Sequence, residues 1–436
     1  MEKIKLPTAL ANAVWKNLEK KGVQPRKNLA NFYDEKFTQD ELDKVTDVEL
    51  VNYCEGFQNI SYLRNLKYLS IDNTQTVEYT AKRDLYSLKD EDIWELEKLE
   101  NLQHLSINKQ KEISQIDISG FKNLQSLSIT RCENLQEIIG LENNRTLIEL
   151  TLFEMNSLSK IKKFDEFIEQ NQNLQNLELD VLLYPSAIGY RSNGQFNKKA
   201  SDKLDSLEFI KWSESVTDKK TSINHFQMKK MHKKAIEIVE KYCTSSHDLE
   251  KVVAVNEYIA RNITYNYDAL NNSFRGIIKN GLAAGSSNGA NGAYDGLINN
   301  SCVCEGYTRV MQYLLTLVGI KTANTHCVAG EDKYGFAEKG KADNIFITLP
   351  KEGFHSICRI ERESGIYYCD SCWNAGRYQK GDKSMPWLLL TKEQIAKTHT
   401  LSYNEQNVAH QKPIPIEVVE RAKQVVSKSF ETNLNV

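Results

Sequence analysis

The 436-residue sequence contains no run of about eighteen apolar residues, so no membrane-spanning helix is expected. It also lacks a charge imbalance. Its 56 Lys and Arg against 58 Asp and Glu leave a formal net charge of -2, which speaks against a nucleic-acid or anionic-membrane partner. The stretch GIIKNGLAAGSSNGANGAYDG (276–296) is rich in glycine but lacks the Gly-Lys-Ser/Thr ending of a phosphate cradle. A nucleotide site is therefore not expected there, and the stretch reads as a mobile loop flanking a cleft. No acidic loop of calcium-binding form is present. The first residues, MEKIKLPTALANAVWKNLEKKG, contain acidic side chains and have no uninterrupted apolar core of the kind a secretory leader needs. As read from the chain, the expected location is cytoplasmic; a removed leader, or export that reads no N-terminal signal, would leave the same pattern. The nine cysteines are odd in number and scattered, which fits reduced thiols better than a disulfide framework.

What the chain does contain begins with repetition. After two short helices, one around Ala9 to Lys21 and one from Thr38 to Lys44 with a Thr38/Glu41 capping box, the spacing L-x-x-L-x-L/I recurs. It occurs at Val45-Val48-Leu50, Leu66-Leu69-Ile71, Leu102-Leu105-Ile107, Leu124-Leu127-Ile129, Leu147-Leu150-Leu152, Leu174-Leu177-Leu179 and Leu204-Leu207-Phe209. Successive starts lie 21, 36, 22, 23, 27 and 30 residues apart, the period of leucine-rich repeats. Leucine-rich amphipathic helices are the alternative, but a helix does not hold a 3-then-2 register. The 36-residue gap implies an insertion, Tyr79 to Trp94. The Asn or Cys expected after each strand appears only as Cys132, read as structural; Tyr53, Thr74, Gln110, Met155 and Leu182 stand at the other positions. A strand-lined concave face would present Tyr68, Ser70, Gln103, Ser106, Gln125, Ser128, Glu149, Thr151, Asn176 and Glu178, a polar mixture suited to a protein partner. A solenoid that only scaffolds the second domain is the alternative.

Beyond a loop at Pro185 to Lys203 and a linker at Trp212 to Ser222, two helices are predicted, Ile223 to Tyr242 and Ser246 to Asn262. Lys229, Lys230, Lys233 and Lys234 on the first read as a solvated face rather than an acidic-partner site. The second places Val252, Val255 and Ile259 on one side for packing. Chemistry enters at SCVCEGYTRVMQYLLTLVG (301–319). Met311, Leu314, Leu315 and Val318 recur at helical spacing and Gly319 ends the run, so Cys304 stands at a helix N-terminus. Unpaired N–H groups and the positive dipole end favour a thiolate there. Taken alone, such a cysteine can equally be structural, and a partner base decides. His355 opens an alternating run, a second run ends at Asp370, and Glu361 to Gly365 reads as the turn between them. Imidazole and carboxylate would then meet across an antiparallel pair.

Taken together, these residues resemble the transglutaminase-like superfamily, whose papain-like core uses Cys, His and Asp in that order. The resemblance rests on Val303-Cys304-Glu305-Gly306-Tyr307, the His355 to Asp370 pair and Asp370-Ser-Cys-Trp373. It extends to NEYIARNITYNYD (256–268), AYDGLINN (293–300) and WLLLTKEQIAKTH (387–399), and covers roughly 225 to 403. Where the family commonly carries an aromatic residue and an asparagine after its histidine, this chain has Ile357 and Cys358, which bears on the shape of the substrate groove. The resemblance implies Cys304 as nucleophile, His355 as base and Asp370 as orienter, with the Cys304 backbone N–H and Tyr265 as oxyanion donors and no cofactor. His399 matches a position read as structural, and His326, on a strand from Thr322 to Ala329, reads as a core or rim residue.

Two rivals are weighed against this. Cys302, Cys304, Cys369 and Cys372 could hold zinc, although C-x-C spacing is unusual for a structural site. A redox bond from Cys302 to Cys304 or Cys372 could silence the nucleophile. The expectation is an α/β leucine-rich repeat solenoid followed by an α+β papain-like, transglutaminase-like domain. Its parts are a helical cap (1–44), repeats (45–212), a catalytic domain (223–403) and a helical tail (404–436) whose helix, Ile416 to Phe430, docks back. The implied activity is acyl transfer or hydrolysis at carboxamide bonds of a protein substrate. Amine-accepting crosslinking, or a binding module with a relic domain, are the alternatives.

Overall fold

A computed structural model describes residues 3–23, 36–51, 56–73, 87–132, 134–155, 157–158, 160–191, 193–214, 221–270, 290–329, 335–336, 354–401 and 403–432. Tyr53, Thr74, the insertion up to residue 86, the linker over 215–220 and the glycine-rich stretch up to residue 289 lie outside these residues. The chain forms two compact units, 1–189 with 196–210, and 190–195 with 211–436.

In the first unit, six strands stack in parallel: Asp47–Val51, Tyr68–Asp72, His104–Asn108, Ser126–Thr130, Glu149–Phe153 and Asn176–Asp180. Their register puts like residues in rows. Val48, Leu69, Leu105, Leu127, Leu150 and Leu177 align, as do Leu50, Ile71, Ile107, Ile129, Leu152 and Leu179. All twelve are at most 2 % exposed, because successive strand side chains point to opposite faces and the inward row of each strand packs on its neighbour's. The residue opening each of these units (Val45, Leu66, Leu102, Leu124, Leu147, Leu174) is buried too.

The register corrects the predicted outer face. Tyr68, His104, Ser126, Glu149 and Asn176 form one outer row and Ser70, Ser106, Ser128, Thr151 and Glu178 the other, whereas Gln103 and Gln125 precede their strands. The seventh match also departs. Leu204 ends in the helix Lys198–Asp205 and the strand Phe209–Ser213 starts five residues after it, against two from Leu174 to Asn176. Phe209 N–H donates to Gln175 O at 3.2 Å, which puts Phe209 in the outer row, 51 % exposed.

Polar rungs tie the units together. Cys132 is fully buried with Sγ 3.4 Å from Thr130 O, and Gln110 stands in the same post-strand place. Gln110 donates to Asn108 O and accepts from Leu88 N–H and Asn73 Nδ2. A second ladder runs through the asparagine just before the opening leucine. The side-chain amides of Asn65, Asn101, Asn123 and Asn173 donate to the carbonyls of Asp43, Arg64, Glu100 and Arg145 in the preceding turn, at 2.7 to 2.9 Å. Each rung satisfies a backbone acceptor that the turn itself leaves free. At the start of the chain the helix Thr8–Lys20 is followed by Gln39–Leu42, whose capping box pairs Thr38 and Glu41.

In the second unit, a five-stranded sheet has the order Gly335–Phe336, His399–Leu401, Lys321–Ala329, Phe354–Arg362, Gly365–Cys369. The helix Cys304–Leu317 packs on the two long strands and against helices His225–Tyr242, Asp248–Asn262 and Ser371–Tyr378. The Cys304 helix is buried nearly all round. Its polar side chains find internal partners. Arg309 Nε donates to Glu214 O at 2.9 Å, Tyr313 Oη and His232 Nδ1 lie 2.8 Å apart, and Thr308 Oγ1 donates to Ser356 O at 2.9 Å. The helix Ile416–Thr432 closes over Asp248–Asn262, with the Phe430 ring stacked 4.1 Å from Tyr242. Among the described residues no helix is long and apolar enough to cross a membrane.

Candidate active site

Cys304 is the first residue of its helix, with extended Val303 before it, a residue whose side chain offers no cap. Glycine makes this placement work. A Cβ on Gly306 would stand 2.5 Å from Cys302 Cβ and 3.0 Å from Ala290 O, so only glycine lets the first helical turn lie against the strand Ser301–Cys302. Tyr307 anchors the turn from the other side by donating its hydroxyl to Ile263 O at 2.8 Å. The Thr308 to Ser356 hydrogen bond ties the same turn to the residue after His355. Cys304 keeps partial exposure, while Cys302, Cys327, Cys358, Cys369 and Cys372 are buried.

His355 lies in the strand Phe354–Arg362, and Asp370 follows the strand Gly365–Cys369 as the N-cap of Ser371–Tyr378. The hairpin register, Cys358 against Cys369 and Arg362 against Gly365, brings the two together. His355 Nε2 is 2.8 Å from Asp370 Oδ2, and Asp370 Oδ1 accepts from Trp373 N–H at 2.9 Å. With Nε2 occupied by the carboxylate, Nδ1 is the nitrogen left for Cys304. Burial by itself would lower the His355 pKa. The charge and hydrogen bond of Asp370, then the hydrogen bond and charge of Cys304, raise it instead to about 10. Burial would raise the Asp370 pKa, but His355 and then His399 hold this carboxyl well below the usual carboxylate range.

Tyr265 pairs with Cys302 in a short parallel ladder, stacks 6.3 Å from Tyr307 and lies against the backbone N–H of Cys304. Burial, followed by the neighbouring charges of Cys304 and Cys372, pushes its hydroxyl up, so it stays a phenol able to donate. The four residues proposed from the sequence thus meet in one place. Ile357 and Cys358 are fully buried, and Ile357 packs with Cys327, Tyr368, Ile395 and Leu401 rather than toward the thiol. His326 stands opposite Ser356 in the sheet.

One residue of the cluster was missed as a site residue. His399 is fully buried with Nε2 3.1 Å from Asp370 Oδ2, the oxygen that also receives His355. A separation of 29 positions along the chain gives no local signal for that meeting. Among the described residues, His355, Asp370 and His399 are the group of three metal-type side chains whose donor atoms lie within 4.8 Å of one another. The 2.8 and 3.1 Å separations are hydrogen-bond lengths to one shared acceptor, which makes this a proton-sharing cluster. The four thiols weighed as a zinc site do not gather among the described residues. Cys369 Sγ is directed to Asn256 Oδ1 at 3.4 Å, and burial pushes the Cys302, Cys369 and Cys372 thiols up.

No family model and no curated protein matches the chain. Solved structures similar to parts of it include a candidate cysteine protease from Cytophaga hutchinsonii, 15% identical over 32% of this chain and 37% of that one, with a TM-score of 0.21. They also include a TGase, 13% identical over 34% and 33% with a TM-score of 0.24. A leucine-rich repeat protein of Leptospira interrogans is 21% identical over 48% of each chain, with a TM-score of 0.30. The matched part spans about a third of the length of the first two proteins.

Proposed function

We propose that the chain is a leucine-rich repeat solenoid followed by a papain-like, transglutaminase-like domain that carries out thiol-dependent acyl transfer or hydrolysis at carboxamide bonds of a protein substrate. The observation that carries this reading is a partly exposed thiol at a helix N-terminus beside an imidazole whose far nitrogen is held by a buried carboxylate at 2.8 Å. Cys304 sulfur attacks the carboxamide carbon, forming the C–S bond and moving the carbonyl electron pair onto oxygen. The Cys304 N–H and the Tyr265 hydroxyl face that oxyanion. The imidazolium of His355 protonates the departing amine through Nδ1, the C–N bond breaks and a thioester remains. Asp370 holds the tautomer throughout. Water then restores the thiol with cleavage or deamidation, and an amine in its place gives an isopeptide crosslink. The steps need only the thiol, the imidazole and the acceptor.

The solenoid's outer rows are polar and uncharged at their centre (Ser70, Ser106, Ser126, Ser128), which suits recognition of a protein partner. We put hydrolysis of a protein chosen in part by that face first and crosslinking second. A limiting dose of iodoacetamide at neutral pH should label Cys304 before the other eight thiols, and His355→Ala should slow that labelling at least tenfold. Equal labelling of all thiols would leave a binding module with a relic domain. Incubation with glutamine-containing proteins, with and without a primary amine and read by mass, separates cleavage, deamidation and crosslinking.

A further inference from the structure

The buried carboxylate of Asp370 has more donors than a nucleophile, base and orienter require. Oδ1 takes the Trp373 N–H, and Oδ2 takes both imidazoles, His355 at 2.8 Å and His399 at 3.1 Å. His399 is locked from its other side, since its Nδ1 is 2.8 Å from Thr398 Oγ1 and that hydroxyl accepts from Trp387 Nε1 at 3.1 Å. Nε2–H of His399 donates to Asp370, while the Thr398 hydroxyl beside Nδ1 also reaches Ile395 O at 3.3 Å. Strand pairing of Ala329 with His399 fixes its backbone, and the Trp373 ring lies 4.6 Å from its imidazole.

We propose that His399 is a positioning residue of this site: by donating to the same Asp370 oxygen that holds His355, it fixes the carboxylate and divides its charge between two imidazoles, and so sets how firmly His355 keeps its second proton. The inference rests on the reading of Cys304, His355 and Asp370 given above and extends it to a fourth side chain. A carboxylate that served His355 alone would hold the imidazolium so tightly that its proton would be slow to reach the leaving amine. A second donor on Oδ2 lowers the carboxylate's basicity. The other titratable groups facing Asp370 among the described residues are Cys327, Cys369 and Cys372, with Cys304 on the far side of His355. Burial keeps these three as thiols, which leaves the two histidines to share the carboxylate.

The test uses the full chain and two alkylating probes of Cys304, iodoacetamide and iodoacetate, across pH. The anionic probe is attracted by imidazolium beside the sulfur, so the ratio of its rate to that of the neutral probe falls as His355 loses its proton. In His399→Leu the midpoint of that fall should rise by about 0.5–1 pH unit, the size expected for one lost hydrogen bond to a charged group. His399→Gln, which keeps an N–H at similar reach, should restore the wild-type midpoint. If the Leu variant does not fold, His399→Asn, whose amide is too short to reach Oδ2, takes its place with the same expected rise. A folded Leu or Asn variant with an unmoved or lowered midpoint overturns the proposal, because a purely structural His399 would change the melting temperature alone. If wild-type Cys304 shows no His355-dependent step at all, the enzymatic reading falls and this inference falls with it; if the step is present but indifferent to residue 399, only the inference falls.

Discussion

Replacing Asp370 by Asn keeps the side chain's shape and its cap on Trp373 N–H while removing the charge that holds His355. The asparagine NH2 would face His355 Nε2, which must then accept, so the ring's proton moves to Nδ1 and the base toward Cys304 is lost. Leaving a buried imidazole without its counter-charge costs about 3–5 kcal/mol. The cost depends on pH with a definite sign. His355 is raised from 6.5 to about 10, so its contribution is complete below 6.5 and disappears as pH climbs through about 10. Asp370 is depressed, so its contribution is present above the ordinary value of 3.8 and is lost as pH falls through the depressed range. The stability difference between wild type and Asp370→Asn should therefore be largest between those ordinary values, and should shrink by about 1.4 kcal/mol per unit once pH exceeds 6.5. Urea unfolding of both proteins at a series of pH values measures this directly. A difference that stays flat from pH 6.5 to 9 would refute the view that Asp370 keeps His355 protonated.

Three further outcomes can be checked by thermal or denaturant unfolding. Gly306→Ala places a methyl 2.5 Å from Cys302 Cβ and should cost about 1–3 kcal/mol, with loss of the enhanced Cys304 labelling because the first helical turn must move; a neutral effect on both would contradict the close approach. Leu127→Ala, in the middle of the inward row, should cost about 2–5 kcal/mol, whereas Ser128→Ala beside it on the outer face should cost under about 0.5 kcal/mol. Thr38→Ala removes the capping box ahead of Gln39–Leu42 and should cost about 1 kcal/mol, recovered in part by Asn or Ser at the same position.

Much of this molecule was legible from spacing. The 3-then-2 recurrence located six strands and both inward rows, because each is a local pattern that alternates with the strand's own period. The asparagine before the opening leucine, at Asn65, Asn101, Asn123 and Asn173, recurs in the same alignment of units, but only the turn's geometry shows that it, rather than a residue after the strand, carries the ladder. Spacing alone puts Gln103 and Gln125 on the outer face because it does not say where a strand begins, and pairing does. The Cys304 helix shows the same limit: Arg309 and Tyr313 are polar in sequence, yet partners far along the chain satisfy them in the interior.

Local pattern is enough to single out the residues that could carry chemistry here: a cysteine opening a helix, and a histidine and an aspartate at the two ends of a hairpin. Each depends on neighbours a few residues away, where backbone geometry and capping act. Only the tertiary structure decided how those groups are held. The sheet order carries His399 onto Asp370 and Thr308 onto the strand of His355, and Gly306 sets how close the helix comes. Such meetings depend on packing between segments distant in sequence, and no local pattern encodes a contact made by the far side of a sheet.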